Sequence, residues 1–119
     1  MPKPLYPLED VKILVRGDCF DFVNNRARTR ARDLAWSIGK IRSFILALDE
    51  TDHRKCMFGN RAFDGRATID CDCYKLHFDE DDECRGTSDD CCFWIEIAID
   101  RNQEGDMVAV VSFHLDGSP

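Results

Sequence analysis

No stretch of this 119-residue chain is apolar for long enough to span a bilayer, and Met1 to Pro7 holds no apolar run of the kind that builds a secretory leader. A closed disulfide framework is missing as well. The seven cysteines, Cys19, Cys56, Cys71, Cys73, Cys84, Cys91 and Cys92, form an odd and irregularly spaced set. These absences point to a reducing cytoplasm and to no membrane partner. Basic residues are scarce in the second half of the chain. Through Ala62 there are 12 Lys and Arg against 8 Asp and Glu, a net of +4; from Phe63 onward there are 4 against 15, a net of −11, which together give the overall −7. Such a balance opposes encounter with RNA unless the basic groups are concentrated on one face. The length suits a single domain, residues 1–119.

Apolar spacing supplies the elements. After Pro7, the positions Leu8, Val11, Leu14 and Val15 mark a short amphipathic helix ended by Gly17. Cys19 to Val23 reads as an extended or turn-like connector. Asn24 or Asn25 caps a second helix with a narrow stripe of Ala27, Ala31 and Leu34, while Arg26 and Arg30, like Arg28 and Arg32, stack at i, i+4 on its outer faces. Ser37 caps a third helix whose stripe is Ile41, Phe44, Ile45 and Leu48. That helix leads into Asp52 to Met57, so that Arg54 and Lys55 stand where a strand begins. Gly59, Asn60, Asp64 and Gly65 then mark a loop, and strands are expected near Ala67 to Phe78, Cys91 to Ile99 and Met107 to His114. Helices first and a meander afterwards predict an α+β domain, with the N-terminal helices packed on one face of a small antiparallel sheet. Alternation puts Tyr74, Leu76 and Phe78 on one face and Cys71, Cys73, Lys75 and His77 on the other. A groove on the open face would gather Lys55, Trp94, Glu96 and His114.

Several pieces occur in one order: Tyr6-Pro7-Leu8 with Val11-Lys12 and Leu14-Val15, then Leu34 to Leu48, Lys55-Cys56-Met57, Asp72-Cys73-Tyr74 and Val110-Val111-Ser112-Phe113. In that order and spacing, over nearly the whole chain, the sequence resembles the MqsR-family toxins of bacterial type II toxin-antitoxin systems. The resemblance implies a RelE-like fold, an endoribonuclease that cleaves messenger RNA without a cofactor, and a cognate antitoxin as partner. It matches Lys55 to the family's active-site lysine and Tyr74 to the tyrosine of its Q-D-V-Y segment. Three positions depart from the pattern. Cys71 stands in place of a glutamine, Trp94, or Phe93 by a one-residue shift, in place of a tyrosine, and His114 in place of a terminal lysine.

Metal-free RNA cleavage needs a base for the ribose 2′-OH, a proton for the leaving 5′-oxygen and cations at the phosphate. Histidine suits the proton transfers near neutral pH. The expected catalytic set is therefore Lys55, His114 and Tyr74, with Arg54, Trp94, Cys71, Arg26 and Arg30 binding substrate. Solvated charges and packed aromatics account for the same residues without chemistry. A toxin-fold protein that has lost its active site and binds a protein partner is the alternative in a different class. Zinc on Cys71, Cys73, Cys84 and Cys91, with His77 and Cys92 nearby, is a competing use of the cysteines, although no C-x2-C knuckle is present. The acidic run Asp79 to Glu83 reads as a solvated hairpin loop, or as a segment that folds over the arginine helix.

Overall fold

The computed structural model describes residues 3–61, 68–102 and 104–117. Three helices come first. Helix α1 (Leu8–Arg16) buries Leu8, Val11 and Val15, carries Glu9 and Asp10 in its first turn and Arg16 in its last, and ends at Gly17. Those charges complement the helix dipole at both ends. Helix α2 (Asn25–Asp33) starts at Asn24, whose side chain accepts the Ala27 N–H at 2.8 Å and donates to the Val111 carbonyl, also at 2.8 Å. One residue thus caps the helix and ties it to the sheet. Helix α3 (Ile38–Ala47) is capped by Ser37 and buries Ile41, Phe44 and Ile45.

Between α2 and α3 the chain reverses through Ala35, held at φ 58° while Ala35 N–H bonds to Arg32 O and Trp36 N–H to Ala31 O. This double-bonded helix terminus ordinarily takes glycine. Its effect is to aim Trp36 into the core. Trp36 meets Phe93, Phe113, Phe78 and Phe44 at ring separations of 4.6, 4.8, 5.3 and 5.6 Å. Its indole N–H donates to Glu80 at 2.7 Å.

The sheet has six strands among the described residues: β1 (Phe20–Phe22), β2 (His53–Arg61), β3 (Thr68–Asp79), β4 (Cys84–Arg85), β5 (Cys92–Asn102) and β6 (Gly105–Leu115). Their spatial order is β1-β6-β5-β3-β2, with β4 paired to the end of β3. All pairings are antiparallel except that of β1 with β6. Three helices with a mostly antiparallel six-stranded sheet agree with the expected α+β class. The main core joins α1 and α3 to Tyr74, Leu76, Phe78, Phe93, Ile95, Ile97, Ile99, Val108, Val110 and Phe113.

Two elements differ from expectation. The connector at Cys19 to Val23 contains β1, too short to show alternation and held by its parallel partner β6. The expected loop at Gly59 and Asn60 belongs instead to β2, while Asp64, Gly65 and Ala67 lie outside the described residues. Gly59 sits at a register shift between Met57 and Asn60 with φ 68°, and its N–H donates to Asp70 at 2.8 Å. A glycine in that conformation is how a strand absorbs an extra residue and continues.

Candidate nucleic-acid interface on the open face

The strand register sets out the face away from the core. Lys55 pairs with Cys73, Cys73 with Glu96 and Glu96 with Ser112; in the parallel row Lys75 pairs with Trp94 and Trp94 with His114. Paired residues share a face, so Lys55, Trp94, Glu96 and His114 all lie on the open side, as alternation predicts. Phe93 lies in the core, and Trp94 is on the open face. Strand β6 stays in step through a register shift between Glu96 and Ile97, leaving Val111 as an extra residue between core-facing Val110 and Phe113. Without that bulge, Phe113 and His114 would exchange faces.

The row through Trp94 is a built array. Lys75 Nζ lies 5.0 Å from the indole centroid and 3.3 Å from the Asp116 carboxylate, and the indole N–H donates to Asp116 at 2.7 Å. The His114 ring lies near-parallel to Trp94, at 12° with centroids 6.4 Å apart. Partial burial and then Arg30 hold the His114 pKa below the ordinary value of 6.5; Arg26 adds to the fall, and Glu96 and Asp116 oppose it. Arg26 and Arg30 therefore act at His114 from α2. The shift favours the neutral imidazole, the form that accepts a proton.

A cavity of about 280 Å³ adjoins this row, lined by Arg54, Lys75, His77, Arg85, Thr87 and Ser88 among others. Arg85 pairs with Asp52 there, and Arg54 donates to the Thr51 carbonyl at 3.0 Å. Its lining sets three cationic side chains and two hydroxyls against the Asp52 carboxylate. Lys75, His77 and Arg85 were not expected as site residues. Alternation along β3 does put Lys75 and His77 on this face, whereas Arg85 arrives only through the β3–β4 pairing.

Other expectations are corrected. Tyr74 does not join Lys55 and His114: it faces the helices at 1% exposure, and burial, reinforced by Asp72, drives its pKa well above the usual tyrosine value. Cys71 is on the open side but fully buried, in a small cluster with Ala98, Ala109 and Val111 that Tyr6, Val23, Met57 and Ile69 cover. It cannot touch a substrate. Cys73 is buried between Lys55 and Glu96, and desolvation pushes its thiol up to about 11, so it is not a thiolate nucleophile at neutral pH. Cys84 and Cys91 are exposed near β4 and do not converge with Cys71 and Cys73. The acidic loop reaches α3 rather than the arginine helix, Glu80 meeting Trp36 and Lys40.

Lys55 and His114 share the open face but lie three strands apart, about 14 Å along the sheet at the usual strand spacing. Lys75 is one strand nearer to His114 and in its row. Lys55 thus lies in a different row of the open face from His114 and does not reach it. No helix among the described residues is long and apolar enough to cross a membrane. The chain matches no family model, and no curated protein matches it.

Proposed function

We propose that the open face binds single-stranded RNA and that His114 is the base of a metal-independent cleavage, in a RelE-like, MqsR-like toxin acting on messenger RNA in the cytoplasm and restrained by a cognate antitoxin. The observation that carries this reading is the Lys75–Trp94–His114 row, a cation, an aromatic plane and an imidazole side by side, with partial burial and the charges of Arg30 and Arg26 lowering the imidazole pKa. An indole stacks on a base, the cations hold phosphate oxygens, and His114 takes the proton of a 2′-OH. The 2′-oxygen then attacks phosphorus, the bond to the 5′-oxygen breaks, and that oxygen leaves with a proton from solvent. The products are a 2′,3′-cyclic phosphate and a 5′-hydroxyl. Lys55, with Arg54, neutralises the adjacent backbone.

The test is cleavage of a structured messenger RNA by purified protein in magnesium-free buffer, with and without chelator, with analysis of the fragment ends. Cyclic-phosphate ends from the wild type, lost in His114→Ala and reduced in Lys55→Ala, support the proposal. RNA left intact by folded protein rejects the enzyme. The pairing of Lys75 with Asp116 favours one fallback, a protein-binding module whose basic row is already neutralised in part.

A further inference from the structure

On the opposite side of β2 from Lys55 lies a second cluster of chemically active side chains. The register His53↔Tyr74, Lys55↔Cys73, Cys56↔Asp72 contains a shift between His53 and Lys55. Under strict alternation His53 and Cys56 would face opposite sides of the sheet. The bulge turns both toward Asp72 and leaves Arg54 and Lys55 exposed. His53 and Asp72 are buried and Cys56 is partly so.

Three donor atoms meet there. His53 Nε2 is 2.9 Å from Asp72 Oδ1, Cys56 Sγ is 3.6 Å from the same oxygen, and Nε2 and Sγ are 3.9 Å apart. From these edges, the in-plane point equidistant from all three atoms lies about 2.0 Å from each, the length of a zinc–nitrogen or zinc–oxygen bond; a small rise out of the plane suits the longer bond to sulfur. Among the described residues, this is the one group of three His, Cys or carboxylate donors that converges so closely. As the site stands, His53 Nε2–H donates to Asp72, and the Cys56 thiol has the Lys3 carbonyl at 3.3 Å and the Asp72 oxygen as acceptors; a metal would take the place of both protons.

The Tyr74 ring packs edge-on against the His53 ring, with 5.2 Å between centroids.

We propose that His53 Nε2, Cys56 Sγ and Asp72 Oδ1 bind one divalent transition metal of the zinc class, with water or the Lys3 carbonyl in the fourth position. A mixed N, S and O donor set is what zinc prefers. Asp72 also accepts the Leu5 and Tyr6 N–H groups at 2.9 and 3.0 Å, so the metal clamps the N-terminal segment to β2 and β3 behind Lys55. This site is independent of the ribonuclease reading.

Cobalt(II) titration of chelator-treated, reduced protein tests it. One equivalent should produce a thiolate-to-cobalt charge-transfer band and the visible bands of a tetrahedral site, and zinc should bleach both. Cys56→Ala and Cys56→Ser should lose the charge-transfer band, while Cys84→Ser/Cys91→Ser should keep it. A wild type that gives no band, or a Cys56 variant that keeps it, overturns the proposal. The wild type alone supplies a check that needs no variant: zinc should raise its melting temperature, and an unchanged melting temperature counts against the site.

Discussion

Trp36 and Trp94 are the only tryptophans in the chain, and they lie on opposite sides of one sheet. Trp36 is 5% exposed within a ring of four phenylalanines, with its N–H bonded to Glu80. Trp94 is half-buried, with Lys75 over its ring, the His114 ring near-parallel beside it and its N–H on Asp116. Both indoles have a hydrogen-bond partner, so polar satisfaction does not distinguish them. What differs is the neighbouring layer: helices and aromatic rings over one, charged side chains and solvent over the other. The first tryptophan organises the core, and the second lies on the open face beside charged side chains.

The largest test of this contrast is truncation of the two rings. Trp36→Ala should cost about 3–5 kcal/mol in chemical denaturation, because it opens a cavity among four rings. Trp94→Ala should cost about 1 kcal/mol or less, and should weaken binding of single-stranded RNA by about 1–3 kcal/mol in a titration. Equal stability losses would contradict the division into a packing face and a binding face.

Tyr74→Phe sharpens the same division on β3. It removes a hydroxyl that is buried and unpaired among the described residues, so stability should stay level or rise by about 1 kcal/mol, and RNA cleavage should be unchanged. A collapse of cleavage with stability intact would return Tyr74 to the catalytic set.

Under the proposed mechanism, the pH dependence of cleavage should report on His114. Its pKa is depressed in the folded protein, so the native state holds fewer protons than the unfolded state just below the ordinary value. Its contribution to stability is present above pH 6.5 and is lost as pH falls through the lower folded value. The proton-accepting form follows the same course. The acidic limb of the rate profile should therefore have its midpoint below 6.5, and Arg30→Ala should move it upward. A midpoint that ignores Arg30→Ala would separate the base from His114.

The smallest effect belongs to Ala35. Its left-handed conformation costs about 1 kcal/mol, offset in part by the greater unfolded-state freedom of glycine, so Ala35→Gly should stabilise the fold by about 0.5 kcal/mol. Thermal melting reads this directly. A loss of stability would show that the Ala35 methyl group packs usefully.

The three helices were legible because each has a stripe at helical spacing and two have side-chain caps at Asn24 and Ser37. The pairing face of Trp94, His114 and Lys55 was legible from alternation on β3 and β5, and from Ser112 and His114 at the polar end of β6. Trp36 was passed over because it stands between two helices and belongs to neither stripe. β1 was missed since three residues carry no periodicity and the strand exists only by its pairing with β6. Tyr74 joins Lys55 only by motif position; alternation along β3 already sets it on the face toward the helices, and its burial agrees.

By itself, the sequence determined the order of elements, the apolar faces that must be covered and the row of cationic and aromatic residues on the uncovered one, since each follows from local spacing. Tertiary structure decided what depends on register. A bulge at Arg54 brings His53 and Cys56 to the same side as Asp72, and a bulge at Val111 keeps His114 facing outward. One extra residue in a strand reverses every side chain beyond it, and whether that residue is accommodated as a bulge depends on the neighbouring strand, which the local pattern does not contain.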